Sequence, residues 1–194
     1  MARAVLNLER GQCWAVALVL ALVPFAGSAE RAKREGVPCS PRALLSLPPS
    51  RQREMADFLR RVESGPLYRE LLHRTGKPAT CNVTIEDTII SLYYAFRGGA
   101  QLEAKTDSSI EFSEQRAQIP GINDGEAVSV LRESEKDSFG EGGCGIDWNH
   151  PSVKEAGLGP GSREVVYRGN ACNCLARTIH KPKTLVALVL SGAC

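Results

Sequence analysis

Apolar residues are distributed along this chain in three ways. Between Cys13 and Ala26 nearly every position is apolar, between Met55 and Leu72 apolar residues recur every three or four positions, and beyond Val83 they come in short runs separated by turn residues. The middle pattern is helical. Met55, Phe58, Leu59 and Val62 stand at the i, i+3, i+4, i+7 spacing of one helix face, and Ser50 is placed to cap its start. Arg53, Asp57, Arg60, Arg61 and Glu63 fall on the opposite face, which reads as a solvated surface. Pro66 suits the first position of a second helix, with Leu67, Leu71 and Leu72 as its apolar contacts and His73 near its C-terminal end, where an imidazolium favours the dipole. Gly76 and Pro78 stop it. Pro38, Pro41, Pro48 and Pro49 keep the preceding stretch out of a long helix.

Past Pro78 the residues become β-branched or aromatic: Val83, Ile85, Ile89, Ile90, Leu92, Tyr93, Tyr94 and Phe96 precede Gly98-Gly99, the composition of a hairpin turn. A return strand over 100–106, a turn at Asp107-Ser108-Ser109 and the alternation of Ile110 and Phe112 against Glu111 and Ser113 complete a three-stranded meander. Tyr93 and Tyr94, being adjacent in a strand, face opposite sides, so only one of them belongs to the core. Asn123-Asp124-Gly125 signals another turn, and 127–131 reads as a strand. The stretch from Phe139 to Gly161 is rich in glycine and broken by Pro151 and Pro160, with room for a turn of helix at 153–156. So long a loop in a compact domain is functional or disordered. The chain closes with 163–179, a turn at Lys181-Pro182-Lys183, and the continuous apolar run 185–190, which predicts a central strand covered on both sides. No internal repeat is evident. The expected fold is α+β: two N-terminal helices packed on an antiparallel sheet of about six strands, stapled by disulfides.

The N-terminal apolar stretch has a different meaning. Arg3 and Arg10 lead, Cys13 to Val23 supplies the apolar core, and Gly27-Ser28-Ala29 offers the small residues of a signal-peptidase site. A membrane-spanning helix needs about 20 apolar residues, and this run meets Pro24 and then charge too soon. No cysteine follows the small residues, as a lipid anchor would require, and no later segment is long enough to span a bilayer. The organisation read from sequence is therefore a cleaved signal peptide over 1–29, a flexible lead over 30–38 and one domain over 39–194, exported to the periplasm or the medium with no stable membrane insertion after cleavage.

Export changes the reading of the cysteines. Removing Cys13 leaves an even set, Cys39, Cys81, Cys144, Cys172, Cys174 and Cys194, and in an oxidising compartment all six are expected in disulfides whose pairing the sequence does not choose. Cys172 and Cys174 would lie about 6.5 Å apart on one face of a strand, too far for comfort, so each is expected to take a separate partner. Cys39 and Cys194 read as staples for the two chain ends. Charge adds little. The chain carries 24 Lys and Arg against 22 Asp and Glu, a formal net charge of +2. The signs are mixed throughout, without the concentrated basic face a nucleic-acid partner needs.

Chemistry is best supplied by the 139–161 loop, where Glu141, Asp147, Trp148 and His150 sit on a glycine-rich backbone able to approach a ligand. These four are the candidate binding residues, with Trp148 read first as a plug over the core. The alternative is a small hydrolase in which Cys144 or Asp147 works with His150 or His180. A metal site of Cys172 and Cys174 with His150 or His180 is the third possibility, disfavoured by the redox compartment. No nucleophile elbow, phosphate loop, dinucleotide fingerprint or His-Glu-x-x-His helix is present, and no cofactor is expected. Asn82-Val83-Thr84 fits a glycosylation acceptor, informative only in a eukaryotic host. The reading that absorbs most of these observations is a secreted or periplasmic, disulfide-stabilised binding or inhibitor-type module that meets an envelope or extracellular protein or a glycan through the 139–161 loop.

Overall fold

Periodic apolar spacing produces the two expected helices. α1 is a single turn, Pro41–Leu44, and the computed structural model then forms α2 over Pro49–Ser64 and α3 over Pro66–Thr75. The structure describes residues 36–45, 47–109, 112–139, 144–170, 173–181 and 184–193, all within one compact unit. The expected signal peptide, Glu141, Cys172 and Cys194 lie outside the described residues.

Met55, Phe58 and Val62 of α2 and Leu67 and Leu71 of α3 are buried, as their spacing requires, whereas Leu72 stays on the surface. Ser50 is not the cap of α2. Pro48 occupies that position and Pro49 starts the helix, because a fixed φ is already helical and Pro lacks the amide hydrogen that a first-turn residue would leave unpaired. Gly76, at φ 78°, closes α3 in a conformation that suits only glycine without strain.

The sheet has nine strands in place of about six, all antiparallel, in the order β1-β2-β3-β4-β5-β9-β8-β7-β6. β1 is only Val37–Pro38, laid against β2, so the chain enters the sheet two residues ahead of Cys39. β2 (Thr80–Glu86) and β3 (Ile89–Ala95) form a hairpin inside what reads as one long strand, turning at Asp87, whose φ of 49° places it in the left-handed region that Asp tolerates better than most residues. Gly98 and Gly99, both at positive φ, turn the chain into β4 (Gln101–Asp107), and β5 (Phe112–Gln118) completes the first meander.

Two further expectations are corrected. The segment 127–131 is not a strand but lies inside α4, Asp124–Phe139. Asn123 starts that helix by accepting the Glu126 amide hydrogen at 3.0 Å while the Glu126 carboxylate accepts the Asn123 amide hydrogen at 3.0 Å, a reciprocal cap. The segment 153–156 is not helical, since Ser152–Glu155 forms the edge strand β6. β7 (Arg163–Arg168), β8 (Leu175–Lys181) and β9 (Thr184–Ala193) follow, with β9 held between β5 and β8 as its continuous apolar run predicts.

Although the sequence shows no repeat, the architecture has an internal symmetry. Each half is a helix followed by a four-stranded meander, α3 with β2 to β5 and α4 with β6 to β9, and the two halves join through their last strands. Along that seam Gln115 stands opposite Leu190 and Ala117 opposite Leu188. α4 packs on β8 and β9, α3 packs on β4, and the two helices meet. The core lies on the face that the register assigns to Val83, Leu92, Tyr94, Leu102, Ala104, Ala117, Leu188, Leu190 and Ala176, all buried. Tyr94, not Tyr93, is the core tyrosine, and its hydroxyl donates to Glu63 at 3.1 Å.

Candidate functional site

α4 connects two polar clusters, one at each end. Its buried stripe starts with Ala127 and Leu131 and then turns polar, ending in Ser134 and Glu135, which are 1 % and 7 % exposed. A buried carboxylate needs donors, and Glu135 has three. Its Oε1 accepts the amide hydrogens of Cys144 and Ile146, each at 3.1 Å, and its Oε2 accepts Trp148 Nε1–H at 3.0 Å. The loop over 144–148 is thereby tied to the helix at three points. It is also tied to the sheet, because Cys144 is bonded to Cys174, Ile146 bridges Gly169, and the Asp147 amide hydrogen is donated to Arg168 O at 2.9 Å.

Trp148 is half-buried, its ring 5.1 Å from that of Tyr167 and 5.4 Å from the Arg132 guanidinium. It is a plug, as expected, and it also carries a cation on its ring. Asp147 and His150 are brought together on the surface: His150 Nδ1 lies 2.8 Å from Asp147 Oδ2, and the other carboxylate oxygen accepts the Asn149 amide hydrogen at 3.0 Å. The hydrogen bond from His150, and after it the one from Asn149, holds the Asp147 carboxyl below its ordinary range. Arg132, Glu135, Lys136, Ile146, Asp147, Trp148 and Asn149 line a cleft of about 340 Å³. Asp147 and Trp148 thus share one concavity with His150 beside it, whereas Glu141 lies outside the described residues.

Arg132, Glu135 and Lys136 are the site residues missed by sequence reading. Once 124–139 is recognised as a helix, the positions 127, 131 and 135 fall on one stripe, and a carboxylate in line with Ala127 and Leu131 becomes conspicuous. The signal for the helix itself was the Asn123-x-x-Glu126 cap.

The hydrolase alternative loses Cys144 as a nucleophile and keeps Asp147 with His150. Cys144 is fully buried and bonded to Cys174, so it has no thiol to ionise, and Cys174 is equally unavailable to a metal. The second described disulfide joins Cys39 to Cys81. Cys174 thus takes a partner other than Cys172, as expected, but the strand geometry expected there is corrected: Asn173 lies at a φ of 47° in a turn, and β8 begins only at Leu175. Among the described residues no three His, Cys, Asp or Glu side chains converge as a metal would require.

His180 stands at the other end of α4, about 20 Å from Cys174 along β8. It is buried, with Nε2 2.8 Å from Thr178 Oγ1 and Nδ1 3.4 Å from Asp124, which is also paired with Arg163 at 2.6 Å. Burial lowers the imidazole below its ordinary pKa, against the pull of Asp124. His180 and His150 therefore belong to separate places and cannot serve one site. No protein-family model, curated protein or solved structure matches the chain. Among the described residues, no helix is long and apolar enough to cross a membrane.

Proposed function

We propose that this is an exported, disulfide-stabilised binding module that captures its partner through the loop and cleft around Trp148. One observation carries the reading: the 144–150 loop is fixed by a disulfide, a buried carboxylate and the sheet edge, yet it keeps Asp147, Asn149 and His150 exposed. Preorganising polar groups on a fixed backbone lowers the entropic cost of association. Two described disulfides, an N-terminal segment of signal-peptide composition and nearly balanced charge all suit a protein that works outside the cytoplasm, in the periplasm or the medium. Its partner is an extracellular or envelope protein or glycan.

The test is a combined variant, Asp147→Asn with Asn149→Ala and His150→Ala, which changes only exposed side chains. Capture of partner from an envelope or culture-medium extract should drop at least tenfold while the melting temperature is unchanged. Undiminished capture would move the site elsewhere.

A further inference from the structure

The cleft at Trp148 is also selective in its charge. Its two acidic groups are already satisfied: Glu135 is buried under three donors, and Asp147 is paired with His150. Its two cations are not. Arg132 and Lys136, one turn apart on α4, form no ion pair among the described residues, whereas Arg69 and Arg74 on the neighbouring helix α3 and Arg163 on β7 are each paired with a carboxylate.

Arg132 is held in an unusual way. Its guanidinium sits over the Trp148 ring at 5.4 Å, and that ring cannot turn, because its Nε1–H is bonded to Glu135 and it packs on Tyr167. A cation–π contact of this kind restrains the guanidinium without consuming its five N–H donors, which stay available to receive a carboxylate through two parallel hydrogen bonds. Lys136 adds a second positive charge on the same wall. The opposite wall supplies the Asn149 amide, a donor and an acceptor, and Asp147, whose oxygens each retain acceptor capacity for a hydroxyl. A ligand that answers both walls carries an oxyanion and hydroxyl donors on one small ring, and a cleft of about 340 Å³ is of the size that takes a single such unit.

We propose that the cleft binds a carboxylated sugar, a uronic-acid unit of an acidic polysaccharide, with Arg132 gripping the carboxylate, Lys136 reinforcing it, and Asn149 and Asp147 reading hydroxyls. The proposal rests on the cleft being the binding site of the module. A peptide carrying Glu or Asp would satisfy the cations and offer single backbone N–H groups to Asp147, whereas a uronate presents its carboxylate and several hydroxyls on one rigid ring and orders fewer rotors on binding, which is why the sugar is favoured.

The experiment is titration calorimetry of the intact mature protein with galacturonate oligomers, with dextran oligomers, sulfated dextran oligomers and poly-glutamate run in parallel. Galacturonate oligomers should bind, dextran should not, and Arg132→Gln should weaken galacturonate at least tenfold. Arg132→Lys keeps the charge but not the fork, and should recover only part of that loss. Asp147→Asn should weaken galacturonate severalfold while leaving any binding of sulfated dextran unchanged. Equal binding of dextran, tighter binding of poly-glutamate or of sulfated dextran, or undiminished galacturonate binding in Arg132→Lys would each overturn the assignment. Partner capture measured on Arg132→Gln separates the two readings: capture lost without any galacturonate binding refutes the sugar and leaves the cleft as the site, whereas capture retained removes the cleft itself. An unchanged far-UV circular dichroism spectrum and cooperative thermal unfolding verify that each variant is folded.

Discussion

Trp148 donates its indole N–H to Glu135 at 3.0 Å, and the same carboxylate receives the amide hydrogens of Cys144 and Ile146 through its other oxygen. Glu135→Gln replaces one acceptor oxygen with an NH2 group, so that donor faces donor on one side of the buried group. The expected cost is about 2 kcal/mol of unfolding free energy, measured in urea, with a shift in Trp148 emission as the ring is released. A change near zero would mean that the loop is held by the disulfide alone.

The two described disulfides predict the thiol count. Peptide mapping of the unreduced protein should recover Cys39–Cys81 and Cys144–Cys174. With those four used, Cys172 and Cys194 are the two that remain of the six, and a third bridge between them is the expected outcome of the mapping. Denatured, unreduced mature protein should therefore show no free thiol. Replacing Cys144 and Cys174 together by Ala should cost about 3.6 kcal/mol, as expected for opening a closed segment of sequence separation 30.

His180 makes stability depend on pH near neutrality. Burial lowers its folded pKa beneath the ordinary 6.5, so the unfolded chain takes up the proton first. The stabilisation is complete above pH 6.5 and is lost progressively as the pH falls below it, with Asp124 and Arg163 as the facing charges pulling in opposite directions. His180→Gln should flatten the melting temperature between pH 7 and pH 5 relative to the parent protein. A parallel decline in both would assign that pH dependence to other groups.

Gln115 occupies an interior position on β5, and its buried Oε1 has no hydrogen-bond partner among the described residues. It lines a small cavity of about 70 Å³ with Phe58, Val62, Pro66 and Asp137. An unpaired buried carbonyl destabilises, so Gln115→Leu is expected to raise stability by about 1 kcal/mol. A loss of stability in thermal unfolding would show that the amide is needed where it stands.

What was legible in the sequence depended on whether burial and hydrophobicity coincide. α2 and α3 were readable because Met55, Phe58, Val62, Leu67 and Leu71 keep the helix period and are buried. α4 was not, since its buried stripe becomes Ser134 and Glu135 halfway along, leaving Val128, Val130 and Leu131 to pass as a strand. The Gly98-Gly99 turn announced itself by its residues, but Asp87-Thr88 did not, so two strands read as one. β6 carried no pattern because all four of its residues are exposed. The location of the candidate site was legible from the glycine-rich loop. Its cations were not, because they sit on the helix the pattern concealed.

Every strand pairing described in the sheet joins consecutive strands except one, β5 with β9. The pairings within β2 to β5 and within β6 to β9 are consequently local, and closing the seam is the longest-range pairing in the sheet, the one expected to limit the rate. Until β9 arrives, the first half exposes an unpaired β5 edge, a template that a β9 from another chain fits equally well. Refolding at high concentration should therefore divert material into strand-exchanged dimers, and dilution should restore the monomer.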